Sequence, residues 1–400
     1  MGCSCCKRKS KNGSRIQDSL VDSMLNNDNN IADNSIEHVN FVNDSEENKN
    51  KITLCVQDFE MIKLLGTGSF GKVILVKCKY NNQIYAMKVL KKEYVKKRKQ
   101  EDHTKTERNI LAKIKYPFIV FLYFAFQDDK QLYFITEFAQ GGELFYHLKK
   151  ERFFDNEKTK FYIAEIVLAL GFLHKNNFLY RDLKPENILL DKNGHVKLTD
   201  FGLSKVLLEK TNDRAYTICG TPQYLAPEIV KCKGYDKTVD WWSLGVLMYE
   251  MLSGRLPLKI PKGKPLDYSY YKQKIDMPNN FTEDAKQILS ELLSVEPKKR
   301  LGYGPDGLKN IKKHPYFKEI DWEKLEKREI LPPFVPKIKN DTDVGYFDKM
   351  FTNEKITNSL IELTNSSEKD NTIYEGFTFV NQNVNDQSLP KTEIIGENQV

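Results

Sequence analysis

Cysteine and histidine are scarce, seven and six in 400 residues, and three of the cysteines sit at positions 3, 5 and 6. That scarcity excludes a dense disulfide framework, points to a reducing compartment and argues against a structural zinc site. Long apolar runs are also lacking. The longest obvious one, Phe118 to Phe126, falls far short of the ~18 residues a membrane span needs. No apolar stretch opens the chain, so a secretory signal peptide is not expected. The rest has the balance of a soluble globular protein, with 40% hydrophobic and 29% charged residues. The length allows one large domain or two to three small ones.

The net charge of +7 is unevenly spread. Lys7, Arg8, Lys9, Lys11 and Arg15 give the first 15 residues +5, whereas residues 16 to 58 carry nine acids and two lysines, hence −7. The remainder carries +9. This pattern is a basic tip on an acidic tether. A nucleic-acid partner is not expected, because no basic groove interleaved with aromatics is visible. Nine asparagines between Asn26 and Asn50, with few large apolar residues, leave residues 1–58 too little apolar surface to offset the chain entropy lost on folding. Residues 381–400 are read as a second disordered segment.

Between these ends, strand-like stretches come first. Phe59 to Leu65, Val73 to Val76 and Ile84 to Leu90 are β-rich, and Tyr80-Asn81-Asn82-Gln83 is a hairpin turn signal. Helical patterns dominate later. Asp155 can cap a helix carrying Phe161, Ile163, Ile166, Val167 and Leu170, and Val239 to Leu252 reads as a buried helix.

The chemistry is carried by ordered motifs. Gly66-Thr67-Gly68-Ser69-Phe70-Gly71 lies between two strands, so it reads as a flap over phosphates and not as a dinucleotide turn, which would open a helix. Alone it is a weak signal, and a plain turn glycine cluster is the bland alternative. Lys88 sits in an otherwise apolar strand and needs a partner; Glu107, in a helix-like stretch, can supply one. Tyr180-Arg181-Asp182-Leu183-Lys184-Pro185-Glu186-Asn187 is the strongest signal, followed by Asp200-Phe201-Gly202 and Ala226-Pro227-Glu228. Asp182 can accept the proton of an attacking hydroxyl, Lys184 can steady a transferred phosphoryl group, and Asn187 and Asp200 can hold Mg²⁺. Phosphoryl transfer needs in-line placement, a cation clamp and a positioning carboxylate.

Taken together over about residues 59–317, this set resembles the eukaryotic protein kinases. The resemblance implies an α+β fold of two lobes, with a β-rich small lobe at about 59–138 and a helical large lobe at about 139–317. It implies ATP and Mg²⁺ as cofactors. The nucleotide would contact Gly66, Thr67, Gly68, Ser69, Phe70, Gly71, Val73, Ala86, Lys88, Glu107, Thr136, Glu137, Ala139, Glu186, Leu189, Thr199 and Phe347. Thr136 would stand at the gatekeeper position behind the adenine. Lys184 and Thr221 resemble the serine/threonine branch, and Thr217 to Pro222 resembles the activation segment of the AGC group, the Akt, SGK and ribosomal S-six kinases in particular. There a phosphate on Thr217 would be read by Arg181 and His103. Glu228 would pair with Arg300. Glu143 and Glu186 would select an arginine three residues before the phosphoacceptor, while the family's further acid, sought near Lys272 or Gln273, is missing. The loop from Lys259 to Tyr270 departs from the family pattern, as does Gln223 where a glutamate is usual.

Residues 318–380 are similar to an AGC tail. Tyr374-Glu375-Gly376-Phe377-Thr378-Phe379 matches its hydrophobic motif except for Tyr374 in place of phenylalanine. Its aromatics would dock on the small lobe, with phosphorylation at Thr378, and a further site is expected near Ser359, with Thr357 and Thr364 as alternatives. An upstream kinase of the phosphoinositide-dependent type would be the activating partner, and basic protein motifs the substrates. Gly2, Cys3, Cys5 and Cys6 resemble an N-terminal myristoylation and palmitoylation signal, which would place the protein on a cytoplasmic membrane face. Cys6 departs from that pattern, where Ser or Thr is usual, and a metal-binding or redox tip is the alternative. The basic run Lys96 to Lys99 reads as a solvated face near Glu107, with nuclear import as the other reading. A kinase-like scaffold without activity is the competing function; the intact Lys88, Glu107, Asp182, Asn187 and Asp200 argue against it.

Overall fold

The computed structural model describes residues 54–68, 71–207, 214–260, 266–354 and 372–381. Three antiparallel strands come first: β1 (Phe59–Thr67), β2 (Gly71–Cys78) and β3 (Ile84–Lys91). Two helices follow, α1 (Lys92–Lys97) and α2 (Glu101–Lys113), then β4 (Leu122–Gln127) and β5 (Gln131–Glu137). The strands form an antiparallel sheet in the order β1-β2-β3-β5-β4, extended at the β4 edge by β11 (Phe379–Val380) from the far end of the chain. Alternation along β3 sets the two faces of this sheet. Tyr85, Met87 and Val89 are buried in the small-lobe core with Ile74, Phe126 and Ile135, while Ala86 and Lys88 on the opposite face stay partly open.

The larger lobe is helical. Its described elements include α3 (Leu144–Glu151), α4 (Asn156–Lys175), α5 (Pro227–Val230), α6 (Thr238–Ser253) and α7 (Glu283–Leu292). Asp155 caps α4 by accepting a hydrogen bond from the Lys158 N–H at 2.8 Å, which satisfies one of the four free donors at a helix start. Helices α4 and α6 are buried almost all round and form the centre of the large core. Short strand pairs sit on top of that core: β6 (Gly142–Glu143), β8 (Ile188–Leu190) and β9 (Val196–Leu198) form one sheet, and β7 (Phe178–Leu179) pairs with β10 (Lys205–Val206). These strands hold the two loops that carry the chemistry, 180–187 and 199–202.

Three sequence expectations differ at their edges. Leu54 and Val56, expected to belong to a tether running through Asp58, are instead buried in the small-lobe core. Asn381, expected to begin a disordered end, is instead buried, and its N–H and side-chain amide donate to the carbonyls of Tyr123 and Leu122. Lys96 and Lys97 are exposed, but on α1, a helix separate from the one that carries Glu107. No described helix is long and apolar enough to cross a membrane.

Candidate active site

Between the lobes, Lys88 on β3 reaches Glu107 on α2, with Nζ at 2.7 Å and 2.9 Å from the two carboxylate oxygens. The same ammonium lies 3.5 Å from Asp200 Oδ1. Burial works against the charge on Lys88, but the carboxylates of Glu107 and Asp200 outweigh it and hold its pKa above the ordinary lysine value. Lys88 in turn holds the Asp200 carboxyl below its ordinary value against the opposing effect of burial, with help from Lys184. This cluster places one cation and an ionised, half-exposed carboxylate at the mouth of the cleft, with side-chain exposures of 28% for Lys88 and 49% for Asp200.

The described part of the flap is β1 and β2. The Gly68 N–H donates to the Gly71 carbonyl at 2.8 Å. Gly71 has no room for a side chain, since a Cβ there would stand 1.7 Å from the Val89 carbonyl oxygen; Gly66 and Gly68 face open space. Thr67 ends β1 exposed, while Ser69 and Phe70 lie outside the described residues. Val73, Ala86, Thr136 and Leu189 keep part of their surface open, and Ala139 is buried. The Thr136 hydroxyl donates to the Ala86 carbonyl at 3.3 Å. Glu137 differs from a simple nucleotide contact: its carboxylate accepts from the Phe121 N–H at 2.8 Å and pairs with Lys197 at 2.8 Å. Its side chain therefore braces the connection between the lobes. The tail closes the same edge. Phe347 stacks on Phe138 with ring centroids 5.6 Å apart, and the Gln140 amide donates to the Asn340 carbonyl. At Gly142, φ is +72° and a Cβ would lie 2.4 Å from the Tyr346 carbonyl oxygen, so glycine is required there twice over.

The 180–187 loop presents Asp182 to the cleft. Its Oδ1 accepts from the Thr221 hydroxyl at 2.9 Å, and its Oδ2 accepts from Lys184 Nζ at 2.7 Å and Asn187 Nδ2 at 2.9 Å. Thr199, which precedes Asp200, donates its N–H to the Asn187 carbonyl and accepts at its own carbonyl from the Tyr180 hydroxyl, tying the two loops together. Oxygen ligands from Asp200 and Asn187 suit a hard cation such as Mg²⁺. Sequence reasoning missed what holds the 180–187 loop. Asp240, fully buried in α6, accepts the N–H groups of Tyr180 at 3.0 Å and Arg181 at 2.8 Å, and a ring nitrogen of His174 lies 2.8 Å away. Arg181 sits at φ +71°, a strained backbone state that such anchoring sustains. The available signal was an acid inside an otherwise apolar helix, which must have buried partners.

The regulatory candidates also gather. The Arg181 guanidinium donates to the Tyr235 hydroxyl, which donates to the Thr217 carbonyl at 2.7 Å. Burial, and then the nearby charge of Arg181, push the His103 pKa down, and Thr217 is exposed. At the other end, Tyr374 and Phe377 are buried, and the Phe377 ring meets Phe134 edge-on at 5.3 Å. Arg108 donates to the carbonyls of Phe377 and Thr378, both at 3.0 Å. Arg108 follows Glu107 in α2, so docking of this segment bears directly on the helix that positions Glu107. Gln127, which donates to the Tyr374 carbonyl at 2.8 Å, was likewise not singled out from sequence. Thr378 itself is exposed. Ser359, Thr357, Thr364, Gly2, Cys3, Cys5 and Cys6 lie outside the described residues.

Beside Asp182 the surface is acidic. Crowding around its carboxylate, and then the negative charge of Glu186, raise the Glu143 pKa. Glu250 is raised by burial and by the same Glu186, although the Tyr224 hydroxyl that it accepts opposes this. Glu250 on α6 thus adds an acid near Glu186. Glu186 thus acts on both Glu143 and Glu250, and acids gathered this way favour a cationic ligand.

A family model described as a protein kinase domain matches residues 59–317, and one described as a protein kinase C terminal domain matches residues 338–379. The chain is 48% identical over 335 residues to "Protein kinase 2" of Dictyostelium discoideum, covering 83% of this chain and 69% of that protein. It is 44% identical over 342 residues to the "RAC family serine/threonine-protein kinase homolog" of the same organism, covering 85% and 76%. Against the "RAC serine/threonine-protein kinase" of Drosophila melanogaster it is 46% identical over 308 residues, covering 76% and 50%.

Proposed function

The chain belongs to the protein kinase family and is a serine/threonine kinase of the AGC group, and from that premise we propose that it phosphorylates Ser or Thr in Arg-x-x-Ser/Thr contexts when Thr217 and Thr378 are themselves phosphorylated. What supports the specificity is that Glu186, four residues after Asp182, stands near enough to both Glu143 and Glu250 to help raise their pKa values. An arginine three residues before the phosphoacceptor would meet Glu143 and Glu186, and Glu250 offers a second basic residue a partner.

The family uses ATP and Mg²⁺. Here Lys88 would hold the nucleotide phosphates, while Asp200 and Asn187 would hold the metal, which when bound neutralises phosphate charge. Asp182 orients the incoming hydroxyl and takes up its proton at a carboxylate oxygen. Lys184, 2.7 Å from that carboxylate, offsets negative charge beside it. The Lys88–Glu107 contact sets a condition for activity, because it exists only while α2 is docked. A phosphate on Thr217, bound by Arg181 and His103, would tie α2 to the large lobe through charge-assisted bonds. An upstream kinase of the phosphoinositide-dependent type would supply that phosphate.

The test is transfer from Mg-ATP to an arginine-scanned serine peptide set, using full-length protein phosphorylated on Thr217. Removing the arginine at the third position before serine is expected to lower kcat/KM by roughly 10- to 100-fold, the scale for a charge-assisted contact. Equal turnover of all peptides would refute the basic-motif reading, and full activity in Thr217→Ala would refute the switch.

We further propose that Gly2 is myristoylated and that palmitoylation of Cys3, Cys5 or Cys6 secures the protein to a membrane. One acyl chain alone binds marginally, whereas a second chain or the adjacent +5 segment makes attachment stable. Gly2→Ala is expected to move the expressed protein from the membrane fraction to the soluble one. An unchanged distribution, together with an unmodified N-terminal peptide by mass spectrometry, would end this proposal.

A further inference from the structure

Tyr224 and Leu225, which follow Thr221, touch two chemically different sets of residues. Tyr224 turns its hydroxyl to Glu250 on the acidic side. On the other side, the Leu225 carbonyl accepts from the buried Tyr271 hydroxyl at 2.8 Å. Tyr271 belongs to the short 3-10 helix Tyr268–Lys272. That helix is also held through Lys231, which directly follows α5 and sets its ammonium 3.8 Å over the Tyr268 ring. The 3-10 helix is thus fixed against the segment that leads away from Thr221.

This second side is rich in lysine. Of the described residues, 259–260 and 266–274 hold three lysines, Lys259, Lys272 and Lys274, and a single acid, Asp267. Asp267 accepts from the Ser269 N–H at 2.8 Å, and the other nearby acids are engaged too: Asp276 pairs with Arg255 at 2.7 Å, and Asp236 accepts from Thr238. Lys231, Lys233, Lys259, Lys272 and Lys274 are all exposed. Among the described residues, none of the five has an acid within ion-pair distance. Lys272 stands at the place where the sequence reading looked for a glutamate.

We propose that this lysine face reads acidic residues two to four positions after the phosphoacceptor, so that preferred substrates are basic before the acceptor and acidic after it. The proposal rests on the basic-motif reading for its direction: an arginine held by Glu143 and Glu186 fixes which way the peptide runs. At about 3.3–3.6 Å per extended residue, positions two to four after the acceptor span roughly 7–14 Å. A peptide continuing past Leu225 over that reach would meet the helix that Leu225 holds, Tyr268–Lys272, and with it Lys231. An aspartate or glutamate there meets several exposed ammonium groups that have no acid within ion-pair distance, while a lysine meets like charge.

The experiment uses full-length protein phosphorylated on Thr217 and peptides that share the preceding arginine. Positions two to four after serine carry glutamate, glutamine or lysine in turn. The quantity read is the ratio of kcat/KM for the glutamate peptide to that for the glutamine peptide. The expected ratio is roughly five- to tenfold at low salt, from two or three exposed pairs. It should fall towards one in 1 M salt, where the screening length is about 3 Å. In the double variant Lys231→Glu/Lys272→Glu the ratio is expected to drop below one. Because it is taken within one enzyme preparation, a general loss of activity or folding cancels. A ratio of one in the unaltered protein overturns the proposal, as does an unchanged ratio in the double variant. If arginine removal matters and the acidic ratio is one, this proposal alone fails; if arginine removal is silent and the acidic ratio persists, the basic-motif reading fails instead.

Discussion

Asp182→Asn is expected to lower kcat for peptide phosphorylation by roughly 10²- to 10⁴-fold, the range for loss of a positioned general base. Asp182 accepts three side-chain donors, from Thr221, Lys184 and Asn187. An amide cannot satisfy that set, because one of its two ends is itself a donor and would face another donor. The substituted side chain would therefore lose its grip on Lys184 or Thr221 as well as its ability to take a proton. The nucleotide clamp is built from other residues, Lys88 and Glu107, which pair at 2.7 Å. The KM for ATP should accordingly stay within about threefold, since that clamp binds without Asp182. Steady-state kinetics with both substrates varied separates the two effects. A kcat within a few-fold of the unaltered protein would remove Asp182 from the chemistry.

Arg300→Ala is expected to destabilise the large lobe by about 3–5 kcal/mol, the cost of leaving a buried charge without its partner. The Arg300 side chain is fully buried, and it binds both carboxylate oxygens of Glu228 at 2.6 Å and 2.9 Å. It also donates to the carbonyls of Thr238 and Ser294, and its guanidinium lies 5.3 Å from the Trp242 ring centroid. These contacts join the end of the activation segment to α6 and to the loop after α7. The melting midpoint should fall by roughly 5–15 °C, which scanning calorimetry reads directly. Replacing both members, as Glu228→Leu with Arg300→Leu, should cost less than Arg300→Ala, because no buried charge is left over. An unchanged midpoint in Arg300→Ala would show that the pair is not a stability element.

Much of this site was legible because it is written in short, ordered motifs. Asp182, Lys184 and Asn187 lie within six residues, so one loop conformation brings them together, and their spacing carried the chemistry. Lys88 was legible for another reason: a lysine in an apolar strand needs an acid, and Glu107 was within reach. The residues that escaped notice are partners at long sequence separation. Asp240 lies 59 residues from the Arg181 N–H that it accepts, and Arg108 lies 269 residues from the Phe377 carbonyl. Glu250 looked like one more residue of an apolar helix until packing set it beside Tyr224.

The sequence by itself determined the ordered catalytic set, the charge of each segment and the family of folds that such a set requires, because local spacing and composition survive without knowledge of distant contacts. Tertiary structure alone decided which buried carboxylate holds the strained loop at Arg181. It alone set Phe379–Val380 beside β4 as a sixth strand, and it set Glu250 against the Tyr224 hydroxyl and Lys231 over the Tyr268 ring. Those arrangements depend on burial and through-space distance, and a buried charge or polar group finds its partner wherever the packed chain brings one, however far apart the two stand in sequence.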